Sequence, residues 1–195
     1  MEYNGWADLT PYINENQGTV NWADILLGYR ENIAQYEGNI IMFPLDGDLL
    51  NLFYRKDILE HFNLKPPRTW DEYSEVAKAV HGQTYENQTL VGSCIGRVLD
   101  CAGAYWANLV IASITQTLGP WSGHLFDTSN LDPLTGPALV QALKWMEEQA
   151  AYGAPNEFGD CFDLNFNEMY SGQCVMTYNC KFIFFRRQSC FLNVF

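Results

Sequence analysis

At 195 residues with 48% hydrophobic side chains, the chain is long enough for one domain or two small ones with a real core, which excludes disorder as its main state. The 23 acidic against 11 basic residues give a net charge of −12, and a field of that sign repels nucleic acid and anionic membrane alike, leaving an evenly acidic solvated surface. Six tryptophans within 15% aromatic content are more than such a core needs, and flat rings also stack on the apolar faces of sugars.

The chain opens polar, MEYNGWADLT, without a basic and then apolar run, so no signal peptide is read there. No apolar stretch reaches the roughly 18 residues that a membrane span requires. If the protein is exported, the expectation is that this chain is part of something longer. The polar stretch up to Asn21 reads as irregular, and from there Trp22, Ile25, Leu26, Tyr29 and Ile33 recur at helical spacing, with Gly38 as the stop. Two apolar runs, Asn39 to Pro44 and Leu49 to Tyr54, read as strands joined by the turn Asp46-Gly47-Asp48. A short helix over Lys56 to Phe62 follows.

Thr69 with Glu72 three residues on forms a capping box ahead of the stripe Trp70, Tyr73, Val76, Ala77 and Val80. A loop carrying Gly82 and Asn87 leads to a strand from Leu90 to Ile95, and a second long helix is expected from Tyr105 to Leu118 with Trp106, Leu109, Val110 and Ile114 on one face. After a turn-rich stretch, a third helix over Gly136 to Tyr152 would bury Leu139, Leu143, Met146 and Ala150 and end at Gly153. A helical turn in FNEMYSGQ precedes a last strand, Cys174 to Tyr178. Alternating strands and helices predict α/β layering, although so few strands imply that partners of the sheet lie outside this chain.

The cysteines, Cys94, Cys101, Cys161, Cys174, Cys180 and Cys190, include no CxxC pair, which argues against a zinc ribbon or a thioredoxin-type motif. Disulfides are expected, with Cys94 to Cys101 and Cys161 to Cys174 as the candidate pairs and buried free thiols as the alternative. Asn87-Gln88-Thr89 fits a glycosylation acceptor and agrees with secretion.

Catalytic patterns are missing. GSCIG at 92–96 lacks the spacing of a nucleophile elbow, no phosphate-cradling glycine run occurs, and His61, His81 and His124 share no ligand spacing. Asp46 and Asp48 resemble an acid and base pair for glycoside hydrolysis in type only, since no orienting partner is in view. As a calcium loop the same stretch lacks the closing glutamate. A plain turn is the remaining local reading. No metal ligands, cofactor or catalytic residues are therefore assigned.

A series of motifs resembles one family. YEGNIIMFPLDGDLLNLFYRKDILEHFNLKPPRTWDEYSEVAKAV, then ALKWMEEQAAYGAP and FNEMYSGQCVMTYN, is similar in order and spacing to the extracellular, or periplasmic, solute-binding proteins of ABC importers, in the sugar-binding branch typified by maltose-binding protein. The resemblance covers residues 6–179. It implies a periplasmic-binding-protein type II fold of α/β class, here incomplete: region 1–179 would hold one lobe nearly whole and part of the other, and 180–195 departs from the pattern as a divergent tail. In that frame Pro44 to Tyr54 crosses between lobes, and Asp48 matches an acidic acceptor of sugar hydroxyls with Asp46 beside it. Arg97, Asp100, Tyr105, Trp106 and Asn179 become further ligand-binding candidates, with two alternatives open: Trp106 in the core, and Arg97 paired to a carboxylate of its own lobe.

The resemblance implies non-enzymatic binding of an extracellular solute, a carbohydrate, by cleft closure, with a membrane transporter as partner and no nucleic acid or cofactor. A ligand-sensing ectodomain of a membrane receptor or cyclase is the alternative, and a carbohydrate-active enzyme the third.

Overall fold

The computed structural model describes residues 5–45, 50–98, 102–116, 124–127, 130–155, 157 and 169–179. The chain divides into two compact units, Met1–Asp48 and Leu49–Phe195.

The first unit is built from short pieces. Helices α1 (Thr10–Glu15) and α2 (Gln17–Val20) occupy the stretch expected to be irregular. The single helix expected from Asn21 is instead a 3-10 turn, Trp22–Asp24, and a helix α3, Leu27–Asn32. Ile25 and Leu26 between them are extended, with ψ of 135° and 133°, so the apolar residues do not share one stripe. Trp22 joins Ile13, Ala34 and Ile40 in a small core, while Leu26 and Ile33 remain exposed.

Gly38 does not stop a helix. It is the second turn residue of a hairpin between β1 (Gln35–Tyr36) and β2 (Asn39–Ile40). Glu37 and Gly38 have φ of 49° and 82°, the double positive φ that a two-residue hairpin turn requires and that glycine adopts without penalty. Regular pairing stops at Ile40, so the strand expected to reach Pro44 is shorter than its apolar run.

The second unit carries the larger core. Its sheet has the order β3 (Asn51–Tyr54), β7 (Cys174–Asn179), β6 (Val91–Ser93). β3 pairs antiparallel to β7, with Asn51 opposite Asn179, and β6 runs parallel to β7, with Ser93 opposite Met176. After β3 comes α4 (Lys56–His61), and then α5 (Trp70–Val80). The Thr69 hydroxyl accepts the Glu72 N–H at 3.1 Å, and the Glu72 carboxylate accepts the Arg68 N–H at 2.6 Å, one residue earlier than the usual reciprocal bond. The stripe Tyr73, Val76, Ala77 and Val80 is buried as its spacing demands. Gly92 in β6 lets the Ala77 backbone approach, since a Cβ there would lie 3.0 Å from Ala77 Cα and closer still to its carbonyl.

Between α5 and β6 a hairpin, β4 (Thr84–Tyr85) and β5 (Gln88–Thr89), turns through Glu86 and Asn87, which puts Asn87 exposed at its tip. Helices α6 (Ala102–Thr115) and α7 (Thr135–Ala150) pack together beside α5. On α6 the buried face is Trp106, Val110 and Ile111.

α7 departs from expectation. Ala138, Ala142, Trp145 and Gln149 face inward, whereas Leu139 and Leu143 are 38% and 52% exposed. The inward face alternates small residues that permit close helix approach with one indole, which fits between Trp70 and Tyr73 at centroid distances of 4.6 and 5.5 Å. The helix ends at Ala150 with Ala151 as its cap, so Gly153 is not the terminator.

The disulfide expectation also changes. Cys94 is bonded to Cys174, with Cα atoms 6.0 Å apart, rather than to Cys101, and Cys174 is therefore not paired with Cys161. The reason is topological: β6 and β7, distant in sequence, are neighbours in the sheet. Cys101, Cys161, Cys180, Cys190 and all of the tail 180–195 lie outside the described residues.

Candidate functional site

Strand direction gathers three chain segments at one edge of the second unit. β6 and β7 both end there and β3 begins there, so Asn51, Asn179 and the stretch Cys94–Val98 that follows β6 share a rim. In open α/β sheets the crevice beyond the carboxyl ends of parallel strands is where ligands settle, because loops leaving the strands supply polar groups above a rigid base.

The stretch after β6 is fixed on two sides. Toward β7, the Cys94 N–H donates to the Met176 carbonyl at 2.9 Å and the Thr177 hydroxyl donates to the Cys94 carbonyl at 2.5 Å. On the other side it meets the chain leaving α7: Ser93 N–H donates to the Tyr152 carbonyl at 3.0 Å and Arg97 N–H to the Glu157 carbonyl at 2.9 Å. Arg97 Nη2 lies 2.6 Å from the Glu157 carboxylate, and the two side chains are only 6% and 2% exposed. Burial pulls the Arg97 guanidinium below its ordinary pKa, and the Glu157 carboxylate beside it opposes that shift.

Beneath the rim, the Tyr73 hydroxyl sits 3.0 Å from Ser93 Oγ, and the Tyr73 and Tyr178 rings stack at 5.4 Å. Burial pushes both phenols far above their usual range, so neither ionises at neutral pH. These groups are structural supports rather than acids or bases.

The predicted site residues divide accordingly. Asp46, Asp48 and Asp100 lie outside the described residues. Leu50 leads directly into Asn51, the first residue of β3. Asn179 closes β7 at the same edge. Arg97 belongs to the rim, but its guanidinium is turned into the protein against Glu157 of the same unit. Trp106 is 1% exposed within the core, while its neighbour Tyr105 is 53% exposed.

Sequence reasoning passed over Asn51, Thr177 and Glu157. Asn51 was discoverable as the polar first residue of an otherwise apolar strand. Glu157 had no signal, because nothing in YGAPNEFGD marks its carboxylate as buried. Among the described residues, no group of three or more His, Cys, Asp and Glu side chains is arranged to hold a metal ion.

A family model described as bacterial extracellular solute-binding protein matches residues 2–180. The chain belongs to that family.

Solute-binding proteins account for the architecture as well. A solved ABC transporter solute-binding protein from Agrobacterium radiobacter K84, in complex with ribitol, superposes with a TM-score of 0.71 at 20% identity, over 90% of this chain and 42% of that one. Maltose-bound MalE3 of T. maritima gives 0.69 at 19% identity, over 97% of this chain and 47% of that one. The lactose-binding protein of Rhizobium radiobacter is 28% identical over 85 residues, 40% of this chain and 20% of that protein. This solute-binding protein thus has the type II periplasmic-binding-protein fold in α/β form, and spans less than half the length of these solved relatives. The family and these relatives are binding proteins. The family is extracellular, and no helix among the described residues is long and apolar enough to cross a membrane.

Proposed function

We propose that this solute-binding protein holds a carbohydrate or related polyol on the rim where β6 and β7 end and β3 begins, for delivery to a membrane transporter from the periplasm or cell surface. The observation that carries the reading is the convergence of Asn51, Asn179 and Cys94–Val98 on one edge of a sheet. Relatives are described as binding lactose, ribitol and maltose, all ligands rich in hydroxyls on an apolar frame.

The proposed roles follow from that chemistry. An ionised carboxylate accepts two hydroxyl protons at once, which suits Asp48 as the principal contact and Asp46 and Asp100 as further acceptors. The Asn179 amide both donates and accepts, and the exposed Tyr105 ring can cover a sugar face. Arg97 and Trp106 serve as framework, one through its ion pair and the other through its packing. Residues 1–179 form the binding region, with 180–195 outside it. A second lobe would close over the bound solute in the full-length protein, and the closed form would be what the transporter reads. No bond is made or broken in this scheme.

Calorimetric titration of the 195-residue chain with lactose, maltose, raffinose, mannitol and ribitol tests the proposal. A hydrogen bond to a charged group contributes roughly 1.5–3 kcal/mol, so Asp48→Ala should raise the Kd of whichever sugar binds by about tenfold to a hundredfold. An unchanged Kd would remove Asp48 from the site.

A further inference from the structure

Glu157 is among the most deeply buried groups of the second unit, and its bonds to Arg97 tie it to the rim. Its carbonyl accepts the Arg97 N–H at 2.9 Å, one carboxylate oxygen lies 2.6 Å from the Arg97 guanidinium, and the other accepts the Ala154 N–H at 3.0 Å. Gly153 leaves room for this carboxylate, because a Cβ at that position would collide with all three of its terminal atoms. Tyr152 and Glu157 thereby hold Ser93 and Arg97 from one side, while β7 and the Cys174 disulfide hold Cys94 from the other.

A buried ion pair is a poor source of net stability. Stripping both charges of water costs about as much as their attraction returns, and apolar pairs of similar volume often serve as well. In some proteins such a pair supplies a fixed geometry instead, and here the pair bears on the segment that leaves β6 onto the rim.

From this geometry we infer that Glu157 is a positioning residue for sugar binding: through Arg97 it sets the path of Cys94–Val98, and thus how this rim segment meets the solute. The inference rests on the proposed carbohydrate site. It assigns Glu157 no contact with the ligand.

Two variants of the 195-residue chain test it, Glu157→Gln, which keeps the volume and an acceptor for Ala154 N–H, and Arg97→Met/Glu157→Leu, which removes both charges together. The readouts are sugar Kd by calorimetry, thermal midpoint, and amide hydrogen exchange resolved by segment. Both variants are expected to stay folded with exchange in β3 and β7 unchanged. Exchange over residues 94–98 should accelerate about tenfold or more, and Kd should rise at least about tenfold. Wild-type exchange at 94–98 in the double variant would overturn the inference, as would wild-type Kd. Loss of the whole fold in the double variant would also overturn it, since the pair would then be a support of the unit rather than of the segment. The exchange measurement is made without sugar, so a wild-type chain that binds none of the sugars would defeat the carbohydrate reading while leaving the role of Glu157 in the segment separately decided.

Discussion

Removal of the Cys94–Cys174 bridge should destabilise the second unit by several kcal/mol. The two cysteines are separated by 80 positions, and closing a loop of that length in the unfolded chain removes roughly 15 cal/mol/K of entropy, equivalent to about 4.5 kcal/mol at 25 °C. That is comparable with the whole stability of many domains, about 5–15 kcal/mol. Both sulfurs are fully buried, in a cluster with Phe53 and Met169, so replacing them with alanine also leaves a little unfilled space. The assay is urea denaturation of Cys94→Ala/Cys174→Ala against the parent, followed by tryptophan fluorescence, since Trp70, Trp106 and Trp145 all sit in this unit. The expected loss is about 3–5 kcal/mol. Dithiothreitol added to the parent should produce a similar loss in urea but react slowly in its absence, because burial keeps thiolate from the sulfurs until the unit opens. A loss below about 1 kcal/mol, or peptide mapping that joined Cys94 to Cys101, would refute the reasoning.

Two further outcomes are expected. Gly92→Ala forces a methyl group into the Ala77 backbone and should lower stability by about 1–3 kcal/mol in the same denaturation assay; a neutral result would mean that α5 does not lie against β6 at this point. Asp57 accepts the Arg55 Nε hydrogen bond at 2.8 Å and a second from Nη2, which hold its carboxyl below the ordinary value of 3.8. A depressed folded value stabilises the protein above 3.8 and ceases to do so as pH falls through the lower folded pKa. Because the Asp57 side chain is 48% exposed, the pair contributes only about 0.2–1 kcal/mol. Asp57→Asn should therefore melt slightly below the parent at neutral pH and converge with it in acid; a gap that widened on acidification would contradict the pairing.

Local chemistry was the most legible part of the fold. Thr69, Glu72 and the stripe behind them form the capped, inward-facing α5 that their spacing demands, since both signals lie within a few residues of one another. Ranking faces a residue apart was beyond periodicity: on α7, Leu139 and Leu143 give as good a stripe as Ala138, Ala142 and Trp145, and only the close packing on α6 and the indole between Trp70 and Tyr73 decide between them. The break at Ile25 and Leu26 escaped for a related reason, because an apolar spacing is preserved whether or not the backbone between its members stays helical. Pairing of Cys94 with Cys174 needs the order of strands in the sheet, a nonlocal fact. For the candidate site, motif resemblance pointed to the β3 entrance and the segment after β6, while the orientation of Arg97 toward Glu157 depends on a partner 60 positions away in the chain (157 − 97).

Sugar is proposed to bind where β6 and β7 end and β3 begins. Titrating the isotope-labelled 195-residue chain with the sugar of highest calorimetric affinity, and following amide chemical shifts, tests it directly. Saturable shifts are expected at Asn51, at residues 94–98 and at Asn179, with little change at the groove of Leu64–Arg68 on the same unit. Saturable shifts confined to that groove, or no saturable shift at the rim with any of the five sugars, would contradict it.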